Sequence, residues 1–244
     1  MTSAEHHPDR DPSGLDRQTQ PDPLALSELI AAGDIDVVPG DPPVPIAVWR
    51  VAGVDAAYGH SDADALTPRM AALLVGSYTR PGDTVVSVGN DPALAGAAGA
   101  GGRTYLSVPD PDDLSDLGHV AGTVALIVLP WPPRQRPAGM ARERLIAMFR
   151  ACRQLMSRDG CTIVALAALP AGETYVQHSG PLIPAARDAG LGWLQHIVAI
   201  TAPIAGQRIT WRATPADPAT LRSATHLTVH VDLLVFATRR GRHG

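Results

Sequence analysis

The chain has no lysine: all twenty basic residues are arginine, set against twenty-four acids for a formal net charge of −4 over 244 residues. With 23 Gly and 23 Pro beside abundant Ala, this reflects GC-rich coding, and no functional preference for Arg over Lys is read from it. Aromatic residues make up only 4% of the chain. Two cysteines, Cys152 and Cys161, are too few for a disulfide scaffold or a four-cysteine zinc site. No run of eighteen apolar residues occurs, which excludes a membrane-spanning helix. The first residues are polar and acidic, unlike a signal peptide. These absences predict a cytoplasmic chain without a membrane partner. Its 45% hydrophobic content is enough for a substantial core.

Charge is unevenly spread. Residues 1–44 carry −7, residues 45–133 carry −5 and residues 134–244 carry +8. Either the halves neutralise each other across one fold, or the basic half faces an anionic partner. Seven Arg fall between Arg134 and Arg158. Among them Arg142, Arg150 and Arg153 are candidate contacts to the phosphates of DNA or RNA. The same residues also read as the solvated face of a single helix. No aromatics interleave with them for stacking on single strands.

Residues 1–24 are polar and Pro-rich, a composition that predicts a disordered tail. Residues 25–44 read as a short helix and a Pro/Gly linker, and 45–240 as one domain. Within it, apolar strand-like runs at 45–51, 84–88, 104–108, 124–129, 161–166, 193–200 and 225–238 alternate with helical stretches. The helices are expected at 67–78, 139–157 and 180–189, the first with Thr67 as N-cap before Pro68. Asp159-Gly160 is expected to turn the chain into the strand at 161–166. Continuous apolar runs separated by helices predict a three-layer, doubly wound α/β fold, its sheet mostly parallel and closed by an antiparallel strand.

This order of segments resembles the class I S-adenosylmethionine-dependent methyltransferases, and more narrowly the bacterial DNA methylases of exocyclic amino groups. TPRMAALLVGSYTRPGDTVV is similar to the family's opening helix and first strand. LIVLPWPPR stands where the family places its (Asp/Asn/Ser)-Pro-Pro-(Tyr/Trp/Phe) loop. RQLMSRDGCTIVAL resembles the helix–Gly–strand unit that follows, and HLTVHVDLLVFATR the closing strand. The resemblance implies a Rossmann-like methyltransferase fold over 45–240 and S-adenosylmethionine as cofactor. By position it assigns cofactor contacts to Ser87, Gly89, Asp91 and Asp110, the last toward the ribose. It also places Trp131 where a base-stacking aromatic belongs.

The departures from the family pattern are specific. Its acid at the end of the first strand is Ser87 here, and its loop glycines fall on Asp91 and Ala93, with Pro92 removing a donor. Amino methylation needs a polar side chain to accept from the target nitrogen, but Leu129 or Pro130 occupies that position. Trp131 either stacks on a flat ligand or fills a gap in the core. The expected function is therefore a methyltransferase-fold protein with degenerate catalytic loops and no bound cofactor, acting in binding or regulation through a dimer or a nucleic-acid surface. Two alternatives stand beside it: an active methyltransferase using Gly89, Asp110 and Trp131, and a nucleic-acid-binding module without cofactor. His226, His230 and Asp232 share one strand face, but positions i and i+4 lie about 13 Å apart, too far for joint ligation, so no metal is expected.

Overall fold

The computed structural model describes residues 37–38, 44–51, 66–133, 141–166, 174–201, 204–205, 208–209 and 230–238. The expected tail at 1–24 lies outside them, as does most of the 25–44 segment. So do Arg134, Arg136 and His226.

The strands are β1 (Val37–Val38), β2 (Val44–Arg50), β3 (Thr84–Val88), β4 (Thr104–Val108), β5 (Val124–Trp131), β6 (Met156–Leu166), β7 (Leu191–Ile200), β8 (Ile204–Ala205), β9 (Arg208–Ile209) and β10 (His230–Thr238). The helices are α1 (Pro68–Tyr78), α2 (Pro92–Ala100), α3 (Arg142–Leu155) and α4 (Tyr175–Asp188), with a 3-10 helix over Pro111–Val120. Among the described residues one eight-stranded sheet runs β1-β2-β7-β10-β6-β5-β3-β4, and β8-β9 form a separate pair. The pairs β3·β4, β3·β5, β5·β6 and β2·β7 are parallel. β10 is inserted between β6 and β7 and runs antiparallel to both. This is a doubly wound, mostly parallel α/β architecture, and its antiparallel strand is the one expected from the sequence.

Helices cover both faces. Val85, Leu126, Val128, Ile163, Leu233 and Val235 pack toward α1 and α2. Their strand neighbours Val86, Ile127, Leu129, Val164, Leu234 and Phe236 pack toward α3 and α4. Alternation along each strand thus builds two cores from runs that look uniformly apolar. Cys152 and Cys161 belong to opposite cores, and burial pushes each thiol up to about 12. They are small packing residues.

α1 begins as the sequence suggests: Thr67 Oγ1 accepts from the Met70 amide, and Pro68 holds the first position. Two boundaries differ. The chain passes from α3 straight into β6 at Met156, so Asp159-Gly160 lies within the strand and is not a turn. A Cβ on Gly160 would stand 2.5 Å from the Val124 carbonyl oxygen, so glycine serves the close approach of β6 to β5. α4 starts at Tyr175, five residues ahead of the expected 180, and keeps Pro181 and Pro184 inside it. Its start is fixed by a capping box between Thr174 and Gln177.

Candidate functional site

In an open α/β sheet a ligand crevice forms beyond the carboxyl ends of the strands, where successive crossovers leave a strand in opposite directions. Here that point lies between β3 and β5. The chain goes from β3 through α2 to β4 on one side, then returns through the 3-10 helix to β5 on the other. The residues just past β3, β4 and β5 therefore bound the crevice.

Gly89 follows β3 with φ +78°, a conformation that favours glycine. Its amide donates to the Val108 carbonyl at 2.7 Å, tying the ends of β3 and β4 together. Among the described residues a Cβ built there meets nothing within 4 Å. Asp110 follows β4 and caps the 3-10 helix. Its Oδ1 accepts from the Asp112 amide at 3.0 Å and from Arg144 Nη2 at 3.4 Å, and its own amide donates to Asp113 Oδ2 at 3.1 Å. The Asp110 carboxylate also accepts from the Asp113 amide, completing a capping box. Arg144, on α3, bonds chiefly to Asp112, from Nη2 at 2.7 Å and Nε at 3.1 Å. The Asp112 hydrogen bond and charge, with Asp110 beside them, raise the Arg144 guanidinium further above its ordinary value. The acidic stretch from Asp110 to Asp116 thus opens a capped helix anchored to α3.

Ser87 and Asp91 are turned to structural use. Ser87 is 1% exposed, and alternation from Val85 points it toward the α1/α2 layer. Asp91 is the N-cap of α2: Oδ1 accepts from the Leu94 amide at 2.8 Å and Oδ2 from the Leu66 amide at 2.9 Å. Replacing Asp91 by alanine should cost about 1–2 kcal/mol, the usual range for a lost cap. A shift below a few tenths of a kcal/mol in urea denaturation would contradict that role.

Trp131 ends β5, half-buried against the α3/α4 core, with its indole N–H donating to His178 Nδ1 on α4 at 3.1 Å. Leu129 is 2% exposed and belongs to the core. Of the candidate phosphate contacts, Arg142 pairs with Asp188, Arg150 is exposed, and Arg153 Nη1 donates to the Ala189 carbonyl at 3.4 Å, closing the end of α4.

His230 and Asp232, which the sequence places on one strand face, are joined by a residue it did not single out, His196. His196 on β7 approaches Asp232 on β10, Nε2 to Oδ1 at 2.8 Å, while His230 Nε2 lies 3.2 Å from Asp232 Oδ2. Burial raises the Asp232 carboxyl, but the two imidazole hydrogen bonds outweigh it and the net shift is downward. The hydrogen bond to Asp232 raises His230. Tyr175 of α4 stacks on His196, ring centroids 5.2 Å apart and planes 8° apart. In register, Trp131 stands opposite Leu166, and Leu166 opposite Asp232, so all three share the face beneath α4. Among the described residues no cluster of His, Cys, Asp and Glu is arranged to hold a metal ion, and no helix is long and apolar enough to cross a membrane.

No protein-family model matches the chain, and no curated protein matches it. Solved structures do resemble it. A SAM-dependent methyltransferase from Archaeoglobus fulgidus matches at 8% identity and TM-score 0.43, covering 70% of this chain and 94% of its own. One from Agrobacterium tumefaciens matches at 10% identity and TM-score 0.44, over 70% of this chain and 61% of its own. A geranyl diphosphate methyltransferase in complex with SAM matches at 13% identity and TM-score 0.40, over 70% and 85%.

Proposed function

We propose that the switch-point crevice binds a nucleoside methyl donor of the S-adenosylmethionine class, and that methylation of exocyclic amino groups has been lost from the loop after β5. The observation that carries the first half is the pairing of Gly89 with Asp110. Space left open by the described residues over a positive-φ glycine lets a ligand approach the backbone, and the adjacent strand end offers the Asp110 carboxylate. Those two features suit the nucleoside end: the Asp110 carboxylate would accept from ribose hydroxyls. Bound there, the cofactor would supply an electrophilic methyl group on a sulfonium. The second half rests on Leu129, which is core, and on Pro130, which has no side-chain acceptor.

Calorimetry with S-adenosylmethionine tests this reading. Saturable 1:1 binding is expected, weakened about 10- to 100-fold in Asp110→Ala, since a hydrogen bond to a charged acceptor contributes about 1.5–3 kcal/mol. Asp113→Ala is the control, because it removes the other half of the same capping box and keeps the Asp110 carboxylate. Equal affinity in wild type and Asp110→Ala would refute the assignment.

A second reading, a scaffold or regulatory protein that binds no cofactor, is favoured by the internal engagement of Ser87 and Asp91. It predicts no heat with S-adenosylmethionine at all.

A further inference from the structure

β4 is the last strand of its sheet, and among the described residues no strand lies beyond it. The Thr104 amide donates to the Asp83 carbonyl, and the Val108 carbonyl accepts from the Gly89 amide. Thr104, Leu106 and Val108 thus direct their main-chain groups to β3. Alternation turns the N–H and C=O groups of Tyr105 and Ser107 outward, where no described residue pairs with them. An open edge of this kind is a template for another strand, and proteins ordinarily blunt it with charge, proline or a bulge. β4 has none of the three. It reads Thr-Tyr-Leu-Ser-Val, and its register with β3 is unbroken over all 5 residues.

The helix beside this edge points the same way. α2 consists of Pro, Ala, Leu and Gly alone. Leu94 and Ala98 are buried, while Pro92, Gly96, Gly99 and Ala100 are exposed. A helix with no polar side belongs in an interior, yet the outer side of α2 faces solvent. Charge is also divided along the edge. At the start of β4, Arg103 donates only to neutral oxygens of Thr79 and Gly101 and meets no carboxylate among the described residues. Beyond the end of β4 stand Asp110, Asp112, Asp113 and Asp116, with Arg144 answering the first two.

These features complement one another when a second β4 runs antiparallel to the first. Laid about Leu106, the copy sets its Ser107 opposite Tyr105 and its Tyr105 opposite Ser107, so the outward N–H and C=O groups pair in both directions. Leu106 then meets the copy's Leu106 as a close, non-hydrogen-bonded pair. Arg103 comes opposite the copy's Pro109, next to Asp110 and the acidic helix, and the same contact repeats at the other end. A parallel arrangement would instead set Arg103 on Arg103 and acids on acids. The two α2 helices fall on one side of the joined sheet and flank the axis, where Ala and Gly let helix backbones approach closely.

We propose that the β4 edge is a homodimer interface, two copies of the chain joining about a two-fold axis at Leu106 so that their sheets become continuous. Such an isologous pairing is closed, because it uses the free edge of both copies. The crevices of the two copies open at opposite ends of the joined sheet. The interface is independent of what the crevice binds. One short strand and one short helix make a small contact, so the dissociation constant is expected at roughly 1–100 μM.

Sedimentation velocity of the full chain from about 1 to 300 μM tests this, and wild type should pass from monomer to dimer across that range. Gly96→Glu puts a charge on the outer side of α2, at a position where a Cβ meets nothing within 4 Å among the described residues. The monomer should stay folded, and dimerisation should weaken about 100-fold, since the axis brings like charges together. Ser107→Pro removes an outward N–H that β3 does not use, a change edge strands tolerate, and should weaken dimerisation about 10-fold or more. Gly180→Glu, on the exposed side of α4, is the control and should leave the dimer unchanged. Amide hydrogen exchange of wild type gives the location without any substitution: Tyr105 and Ser107 should exchange more slowly at high concentration than at low. A chain that stays monomeric, a dimer that both edge substitutions leave intact, or slowed exchange confined to another surface would each overturn the proposal.

Discussion

Phe236→Ala is expected to destabilise the chain by about 3–5 kcal/mol, the range for truncating a buried aromatic. Phe236 is fully buried on β10. Its ring meets Phe149 of α3 with centroids 5.3 Å apart and planes at 60°, a tilted geometry that adds to simple area burial. The strand itself is central: β10 pairs with β6 on one side and β7 on the other. A cavity there cannot be relieved by movement of an edge. Urea denaturation should show a clear fall in midpoint, and Phe236→Leu should recover more than half of the loss. A change under about 1 kcal/mol would mean that the α3–β10 core collapses into the space with little cost.

Asp232→Ala should cost about 2–3 kcal/mol near pH 6, because two imidazoles lose a charged acceptor in a largely buried site. The effect should also reshape the pH dependence of stability. Asp232 has a depressed carboxyl value in the folded chain, so its contribution exists above the unfolded value of about 4 and is lost as pH falls through the folded one. His230 has a raised value, so its contribution is complete below about 6.5 and is lost as pH rises through the folded one. Half-exposed His230 is partly screened by solvent, and its share is the smaller. Wild type should thus be most stabilised by this cluster between about pH 4 and 6.5. The stability profiles of wild type and Asp232→Ala should be furthest apart in that window and converge at lower pH. Parallel profiles across the whole range would show that Asp232 contributes packing alone.

The layers of the fold were legible because they rest on local signals. β3 and β4 are short apolar runs bounded by Pro-Gly-Asp and glycine turns, and α1 announces itself through Thr67-Pro68. α4 begins five residues ahead of the expected helix, and the Thr174–Gln177 capping box was the signal that would have placed its start. Gly160 looked like a turn residue because its actual constraint, the Val124 carbonyl, is set by strand packing. At the site, Gly89, Asp110 and Trp131 could be placed from their position after three strands. His196 could not. Its meeting with Asp232 spans 36 residues and depends on β10 inserting antiparallel beside β7 in one particular register. Sequence spacing along β10 finds His230 and Asp232 together, but not the residue across the ladder. The structural use of Asp91 was hidden for a related reason: its second partner, the Leu66 amide, is 25 residues away.

The central claim is that the crevice between β3 and β5 holds a nucleoside methyl donor against Gly89 and Asp110. A crystal structure of the chain with S-adenosylhomocysteine, the demethylated product, tests it most directly. The account predicts the ribose hydroxyls on the Asp110 carboxylate, the ligand passing over Gly89, and its sulfur directed toward the end of β5. Side chains filling the space over Gly89, or the ligand bound away from Asp110, would contradict it.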